Sequence, residues 1–242
     1  MFYRNILGSA LPVLVAALLI GSLGWSGPVF AQSASSQAAI TAEPQGLSEL
    51  RTAAKRGDAN AQHNLGLRYV KGQGVARNYK KSAYWFSKAA EQGESRSQYD
   101  LGLQYKYGQG VPKDYKKAAD LFRKAAKQGE VHAQGFLGAA YFSGQGVSQN
   151  YKKAAHWAGE AANRGDAQAQ LLLAIMYLQG DGMKRDFTQA AKWFMIAQSS
   201  DVKQYSQTAS KALAKLKHAL DRQQIAKAKQ LAATWKVSHH EE

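Results

Sequence analysis

The sequence of 242 residues contains no cysteine. This absence excludes disulfide bonds, thiolate metal sites, cysteine nucleophiles and a lipid anchor attached through that residue. The six histidines offer no substitute, because no two of them lie at the i, i+4 spacing by which a helix presents a zinc site. The sequence therefore predicts a protein without enzymatic activity, without a metal ion and without a cofactor.

Acidic residues are also scarce. Asp and Glu together number 17 against 32 Lys and Arg, which gives a formal net charge of +15 at pH 7. Such an excess attracts anionic partners, among them acidic proteins, cell-wall or capsule polymers and phospholipid head groups, although a charged surface can equally serve solubility alone. Nucleic acid has no support beyond this charge and is not expected as a partner.

What the chain has in abundance is internal repetition with a period of 36 residues. Similar segments begin at Gly57, Gly93, Gly129 and Gly165. A unit of this length is too small to bury its own apolar face, so copies must stack on one another as a solenoid. The sequence thus predicts four repeats, at residues 57–92, 93–128, 129–164 and 165–200.

Each copy carries the pattern of two amphipathic helices. Glutamine, leucine and tyrosine recur in the first half, and tyrosine, alanine and a large apolar residue in the second, at spacings of three and four. An acidic residue or asparagine precedes each half, where its side chain can cap the following helix. Paired glycines such as Gly72 and Gly74 provide the turn between the halves. These loops have neither a preceding strand nor a following Lys-Ser/Thr, so they are not interpreted as nucleotide-binding loops.

These motifs resemble the Sel-one-like repeats (SLR), a branch of the tetratricopeptide superfamily. The family pattern has Leu-Gly, then Tyr, Gly-x-Gly-Val, Lys-Ala and a closing Ala-Ala-x-Gln, and it is nearly complete in residues 93–128. The fourth copy departs most, with Ala174 in place of glycine and Met183 in place of valine. The resemblance implies an all-α, right-handed α-solenoid of helix-turn-helix repeats whose concave groove binds a protein.

The segments around the repeats are predicted to cap and export them. Residues 47–56 predict an N-terminal capping helix, and residues 201–242 predict C-terminal capping helices and a tail. Residues 1–31, with Arg4 before an apolar run, are interpreted as a cleavable signal peptide, and residues 32–46 as a flexible leader. The mature protein is expected to be a periplasmic or secreted monomer without an integral membrane span. Retention of the first segment as a membrane anchor is the alternative.

The residues that recur at the same position in every copy are called frame residues, and the others are called off-frame. The resemblance also assigns the off-frame positions of each first helix to the concave groove. Tyr99, Tyr107 and Phe136 are the expected aromatic contacts, and Arg68 and Lys71 are expected to orient an acidic end of the partner. The predicted groove residues are His63, Asn64, Leu67, Arg68, Lys71, Tyr99, Asp100, Leu103, Gln104, Tyr107 and Phe136.

In the fourth repeat the corresponding positions are apolar. They are Leu171, Leu172, Ile175 and Met176. Either they form the apolar end of the groove, or the C-terminal helices cover them and leave only the first three repeats open. Both alternatives are compatible with the sequence.

A second candidate surface is a basic ladder on the outer face. A pair of lysines recurs at one helical phase in three of the copies, so stacking would align the pairs. The predicted ladder consists of Lys80, Lys81, Lys116, Lys117, Lys152 and Lys153.

Taken together, these features favour an exported, non-enzymatic adaptor that binds a protein or peptide partner, such as an envelope protein, in its groove. Two alternatives stay open. One is a periplasmic regulator of a membrane sensor or of exopolysaccharide production, a role that the resemblance implies. The other is a protein that associates with the cell wall or with an anionic polysaccharide through its lysines.

Cleavage of the signal peptide is expected after Ala31, because Val29-Phe30-Ala31 is the small-x-small site directly after the apolar run. N-terminal sequencing of protein released by osmotic shock should therefore begin at Gln32. Recovery of a chain that still begins at Met1 in the membrane fraction would instead identify an anchor.

Overall fold

The computed structural model describes residues 45–240. The predicted signal peptide and nearly all of the predicted leader lie outside this range. Within it the chain forms eleven α-helices, one 3-10 turn and no strand, which confirms the all-α class. The helices are α1 (Gln45–Lys55), α2 (Ala59–Lys71), α3 (Tyr79–Glu91), α4 (Ser95–Tyr107), α5 (Tyr115–Lys127), α6 (Val131–Ser143), α7 (Tyr151–Asn163), α8 (Ala167–Gln179), α9 (Phe187–Ala197), α10 (Lys203–Leu216) and α11 (Arg222–His240), with the 3-10 turn at Lys217–Ala219.

Two compact units divide the described chain, with the boundary between Ala133 and Gln134 inside α6. In the N-terminal unit, residues 45–133, each helix from α1 to α5 packs against the next. In the C-terminal unit, residues 134–240, α7 and α9 pack against α8, and α10 and α11 both pack against α9. The repeated element in both units is therefore the helical hairpin that the sequence predicts.

Side-chain caps begin the helices at the predicted positions. Asp58 accepts a hydrogen bond from the Ala61 amide (2.6 Å), and Asn78 accepts one from the Lys81 amide (2.9 Å). Equivalent caps are formed by Glu94, Asp114, Asn150, Asp166 and Asp186. Since an N-cap side chain contributes about 1 kcal/mol, the caps fix where the helices of each hairpin start.

The recurring glutamine of the first helices is buried and joins neighbouring helices. Gln62 donates from Nε2 to the Ala54 carbonyl near the end of α1 (3.0 Å), and its Oε1 accepts from Nε2 of Gln92 (2.8 Å). Gln98 makes both contacts one repeat later, at 3.3 and 2.8 Å. In the C-terminal unit Gln170 bonds the end of α7 in the same way, at 3.2 Å. These side chains hold a first helix at a fixed position relative to the helix before it.

Glycines in the first helices allow the second helix of the hairpin to approach closely. A Cβ atom at Gly66 would lie 2.6 Å from the ring of Phe86, and one at Gly102 would lie 2.7 Å from the ring of Phe122. A Cβ atom at Gly138 would lie 2.9 Å from the backbone nitrogen of Ala158 on α7. The Leu-Gly motif is thus a packing requirement, because any side chain at these positions would displace the facing helix.

The second glycine of the loop within a hairpin makes a different close contact. Gly110 and Gly182 have φ values of 75° and 74°, a conformation that favours glycine. A Cβ at Gly110 would collide with the carbonyl of Tyr79, and one at Gly182 with the carbonyl of Tyr151. Each of these loops is therefore seated on the first residue of a helix in the preceding repeat.

Gly102→Ala should destabilise the protein by about 1 to 3 kcal/mol, because the new methyl group overpacks against Phe122. Gly159, on α7, provides the matched control, since a Cβ there meets nothing within 4 Å. Gly159→Ala should stabilise by about 0.5 to 1 kcal/mol through helix propensity alone. Urea unfolding of both variants measures the difference. Equal stabilisation by the two substitutions would contradict the close packing.

Candidate functional site

The groove residues of the N-terminal unit lie on α2 and α4, and they differ widely in accessibility. Asn64, Lys71 and Tyr107 are exposed. Leu67, Arg68, Tyr99, Asp100 and Leu103 are half-buried. These eight residues are called the first-helix face below. The remaining three predicted groove residues, His63, Gln104 and Phe136, are buried, so the prediction that they line an open groove is wrong.

His63 is buried because it has a partner on the next first helix. Its Nε2–H donates to Oδ2 of Asp100 at 3.0 Å, and its ring lies 5.6 Å from that of Phe86. The other ring nitrogen, Nδ1, is buried without a hydrogen-bond partner among residues 45–240. This hydrogen bond therefore joins α2 to α4. It also engages the carboxylate of Asp100, which is the acidic residue of the first-helix face.

Gln104 is buried for a similar reason. Its Nε2 donates to the hydroxyl of Ser82 on α3, and that hydroxyl in turn donates to the Tyr79 carbonyl at 3.1 Å. Ser82 occupies a position where the other three copies have alanine, namely Ala118, Ala154 and Ala190. The sequence does contain a signal for this contact. Ser82 stands where the other repeats have alanine, and Gln104, in the next helix, is a glutamine outside the repeated pattern.

Phe136 lies on α6, where every residue from Ala133 to Gly138 is buried. A helix segment that is apolar on nearly all sides is enclosed by its neighbours, so the residues of this segment that lie outside the repeated pattern do not reach solvent. Only 6% of Phe136 is exposed. It belongs to the core rather than to a binding surface.

The off-frame residues of α8 are buried as well. Leu171, Leu172, Ile175 and Met176 are at most 4% exposed, and α10 packs against α8 in the same unit. On α10, Leu213 and Leu216 are buried too. Of the two alternatives for the fourth repeat, coverage by the C-terminal helices is the one that fits these contacts.

The basic side chains of the first-helix face are Arg68 and Lys71, and Lys106 lies next to Tyr107 of that face. Arg68 is half-buried and makes no ion pair with any residue that the structure describes. Lys106, between the exposed positions of α4, has its Nζ 5.2 Å from the ring centre of Tyr107. Burial, together with the positive charge of Lys113, lowers the pKa of Lys106 to about 8. The positive charge of α4 therefore begins to decline in mildly alkaline solution.

All six lysines of the predicted ladder are exposed, but the two members of each pair differ. The second member lies over a frame tyrosine: Lys81 over Tyr69 (5.5 Å), Lys117 over Tyr105 (5.3 Å) and Lys153 over Tyr141 (5.4 Å). Such contacts contribute about 0.5 to 1 kcal/mol at exposed sites. The first members, Lys80, Lys116 and Lys152, make no ion pair or ring contact within the described range, so they are the ammonium groups available to a ligand.

Among the residues whose side chains the structure describes, no group of three or more His, Cys, Asp or Glu is arranged to hold a metal ion. No helix in this part of the chain combines the length and the apolar character needed to cross a bilayer.

The contact between His63 and Asp100 should behave as an energetically coupled pair. Asp100→Leu leaves a buried imidazole without a partner and should destabilise by about 1 to 3 kcal/mol. His63→Leu/Asp100→Leu should recover most of that loss, because replacing both partners of a buried polar pair by apolar side chains leaves no polar group unpaired. Urea unfolding at pH 7 of the singles and the double variant gives the coupling energy. Asn64→Leu, on the exposed side of α2, is the control and should change stability by less than about 0.5 kcal/mol. Simple additivity of the single changes would contradict the pairing.

Comparison with known proteins places the chain among proteins of the same repeated motif. The Sel1 repeat model matches residues 59–94, 95–130, 131–166 and 167–197, and each of these ranges begins at the first residue of a first helix. No curated protein matches the sequence significantly.

The solved structures that resemble this chain include Sel1 and SLR repeat proteins. The chain is 32% identical to c5321, a protective antigen of uropathogenic Escherichia coli that displays an SLR fold, over 93% of this chain (TM-score 0.72). It spans only 44% of the length of that antigen. A Sel1 repeat protein from Oxalobacter formigenes is 31% identical over 78% of this chain and 79% of its own (TM-score 0.64). A Sel1 repeat protein from Klebsiella pneumoniae, at 22% identity over 81% of this chain and 98% of its own (TM-score 0.50), shares the fold.

The repeat matches cover more than half of the sequence, in register with the helical hairpins described above. Members of this family generally act as scaffolds for protein–protein interaction. The chain belongs to the Sel1 repeat family.

Proposed function

We propose that this protein is an exported, non-enzymatic scaffold that binds an acidic peptide segment of a protein partner on the first-helix face of its N-terminal unit. The observation that carries this proposal is Arg68. Arg68 is a half-buried residue that makes no ion pair in the described chain, and Asp100, the acid on the same face, is already bonded to His63. A carboxylate from a partner would satisfy the guanidinium with charge-assisted hydrogen bonds.

The surroundings of Arg68 support a peptide as the ligand. Leu67 and Leu103 are partly exposed apolar side chains on the same face, and Tyr107 is 37% exposed. An interface with an aromatic and apolar centre and a few charged groups matches the usual composition of peptide-binding surfaces. Phe136 is not part of this site because it is buried.

Export is supported by the pattern of residues 1–31 described above, with its basic residue, apolar run and small-x-small motif. A protein located outside the cytoplasm would meet envelope proteins as partners. Export and peptide binding are separate parts of the proposal, because N-terminal sequencing tests the first and the following experiment tests the second.

Selection of a random peptide library on the full-length mature protein should enrich peptides that contain Asp or Glu next to apolar residues. Arg68→Gln should weaken a selected peptide by about tenfold or more, since a hydrogen bond between charged groups is worth about 1.5 to 3 kcal/mol. Tyr107→Ala should weaken it by about 1 to 3 kcal/mol. Titration calorimetry or fluorescence anisotropy provides the affinities.

Lys116→Gln removes the same charge as Arg68→Gln but lies at the start of α5, and it should leave the affinity within about twofold. Retained melting temperatures would show that the variants are folded. Selected peptides without acidic residues, or affinities that respond equally to Arg68→Gln and Lys116→Gln, would contradict the proposed site.

A further inference from the structure

A second exposed surface, on the outer side of α3, is unrelated to the first-helix face. Its centre is Tyr84, which at 55% exposure is the most exposed of the large apolar side chains that the structure describes. The ring stands edge-on to Trp85, with centroids 5.0 Å apart and planes at 79°. Trp85 in turn packs against the core cluster that contains Leu47 and Leu65. Tyr84 is therefore supported by a half-buried ring that packs on the core, while Tyr84 itself is largely exposed to solvent.

Lysines flank this ring along the helix. Lys80 and Lys88 lie four residues before and after Tyr84, so the three side chains share one face of α3 at intervals of about 6 Å. Lys80 has no counter-ion within the described range. Lys88 lies 3.8 Å from Glu91, but both groups are exposed and such a pair contributes little. The surface formed by Lys80, Tyr84, Trp85 and Lys88 is called the outer patch.

We propose that the outer patch binds an anionic polysaccharide, a chain of sugars that carry carboxylate or sulfate groups. The apolar C–H face of a sugar ring fits flat on an exposed aromatic ring, and Tyr84 offers such a ring at a low entropic cost because Trp85 already fixes it. The two ammonium groups are separated by about 12 Å of helix. They would therefore contact anionic groups on different sugars of one chain.

The composition of the patch distinguishes this ligand from a lipid surface. Peripheral helices bind bilayers by burying tryptophan, phenylalanine and leucine side chains, whereas Trp85, the tryptophan of the patch, is half-buried against the core of the protein. The exposed residues of α3 are Lys80, Lys81, Tyr84, Lys88 and Glu91, none of which is aliphatic and apolar. The patch thus has the charge for an anionic ligand and an aromatic platform, but no group that would enter the acyl region.

The other repeats lack one or more of these elements at the same positions. The second repeat has Lys116, Asp120 and Lys124, with two lysines but no aromatic ring. The third has Lys152, His156 and Glu160, in which His156 stacks edge-on against Trp157 at 5.0 Å but an acid replaces the second lysine. The combination of a supported ring and two flanking lysines is specific to α3 among the four second helices.

Affinity electrophoresis and titration calorimetry with polygalacturonate, using the full-length mature protein, test this proposal. Tyr84→Ser should weaken binding at least fivefold, and Tyr84→Phe should retain it because the stacking face remains. Lys80→Gln/Lys88→Gln should weaken binding at least tenfold. The matched control, Lys116→Gln/Lys124→Gln, removes the same charge at the same spacing on α5 and should change binding less than twofold. Neutral dextran should not bind.

Several outcomes would overturn the proposal. No measurable binding of polygalacturonate or of a sulfated glycan would do so. Equal losses from the two lysine pairs, with no effect of Tyr84→Ser, would show unspecific charge attraction. Tyr84-dependent binding to vesicles that contain phosphatidylglycerol, or to single-stranded DNA, at an equal or higher affinity would identify a different ligand. Arg68→Gln should leave glycan binding unchanged, so that failure of peptide binding and failure of glycan binding are separate results.

Discussion

Contact between consecutive helical hairpins, each too short to be stable alone, is the constraint on which the rest of the structure depends. Apolar side chains of one hairpin find burial only against its neighbours, so every helix must keep its position relative to the helix before it. The buried glutamines Gln62 and Gln98 meet this requirement with hydrogen bonds that run between helices. Where the repeats end, α11 supplies the missing neighbour, with Trp235 edge-on to Trp193 at 6.2 Å.

The same constraint explains what can be predicted from the sequence. Periodic apolar positions and cap residues are sufficient for the helices and their boundaries, because both depend on local geometry; α3, for example, begins directly after its cap Asn78. The accessibility of off-frame residues is harder to predict, since it depends on which side chain faces them from another helix. His63 finds Asp100, 37 residues later, and Gln104 finds Ser82. Neither pairing follows from the 36-residue period.

The two units also differ in the chemistry that buries their first helices. In the N-terminal unit, polar pairs between helices satisfy off-frame groups such as His63 and leave Arg68 and Tyr107 within reach of solvent. In the C-terminal unit, α8 is apolar on nearly every side and is covered by α7, α9 and α10. Buried polar pairs are weak contributors to net stability.

Two of the loops within hairpins lie directly against the preceding repeat, with Gly110 on Tyr79 and Gly182 on Tyr151. These contacts limit the insertion of residues into the two loops. A surface loop ordinarily tolerates inserted residues. Here an insertion would lift the loop from the helix beneath it and open a gap between repeats. Insertions in these two loops should therefore be tolerated less well than insertions in the loops at Gly57, Gly93 and Gly165, where a Cβ atom would meet nothing within 4 Å.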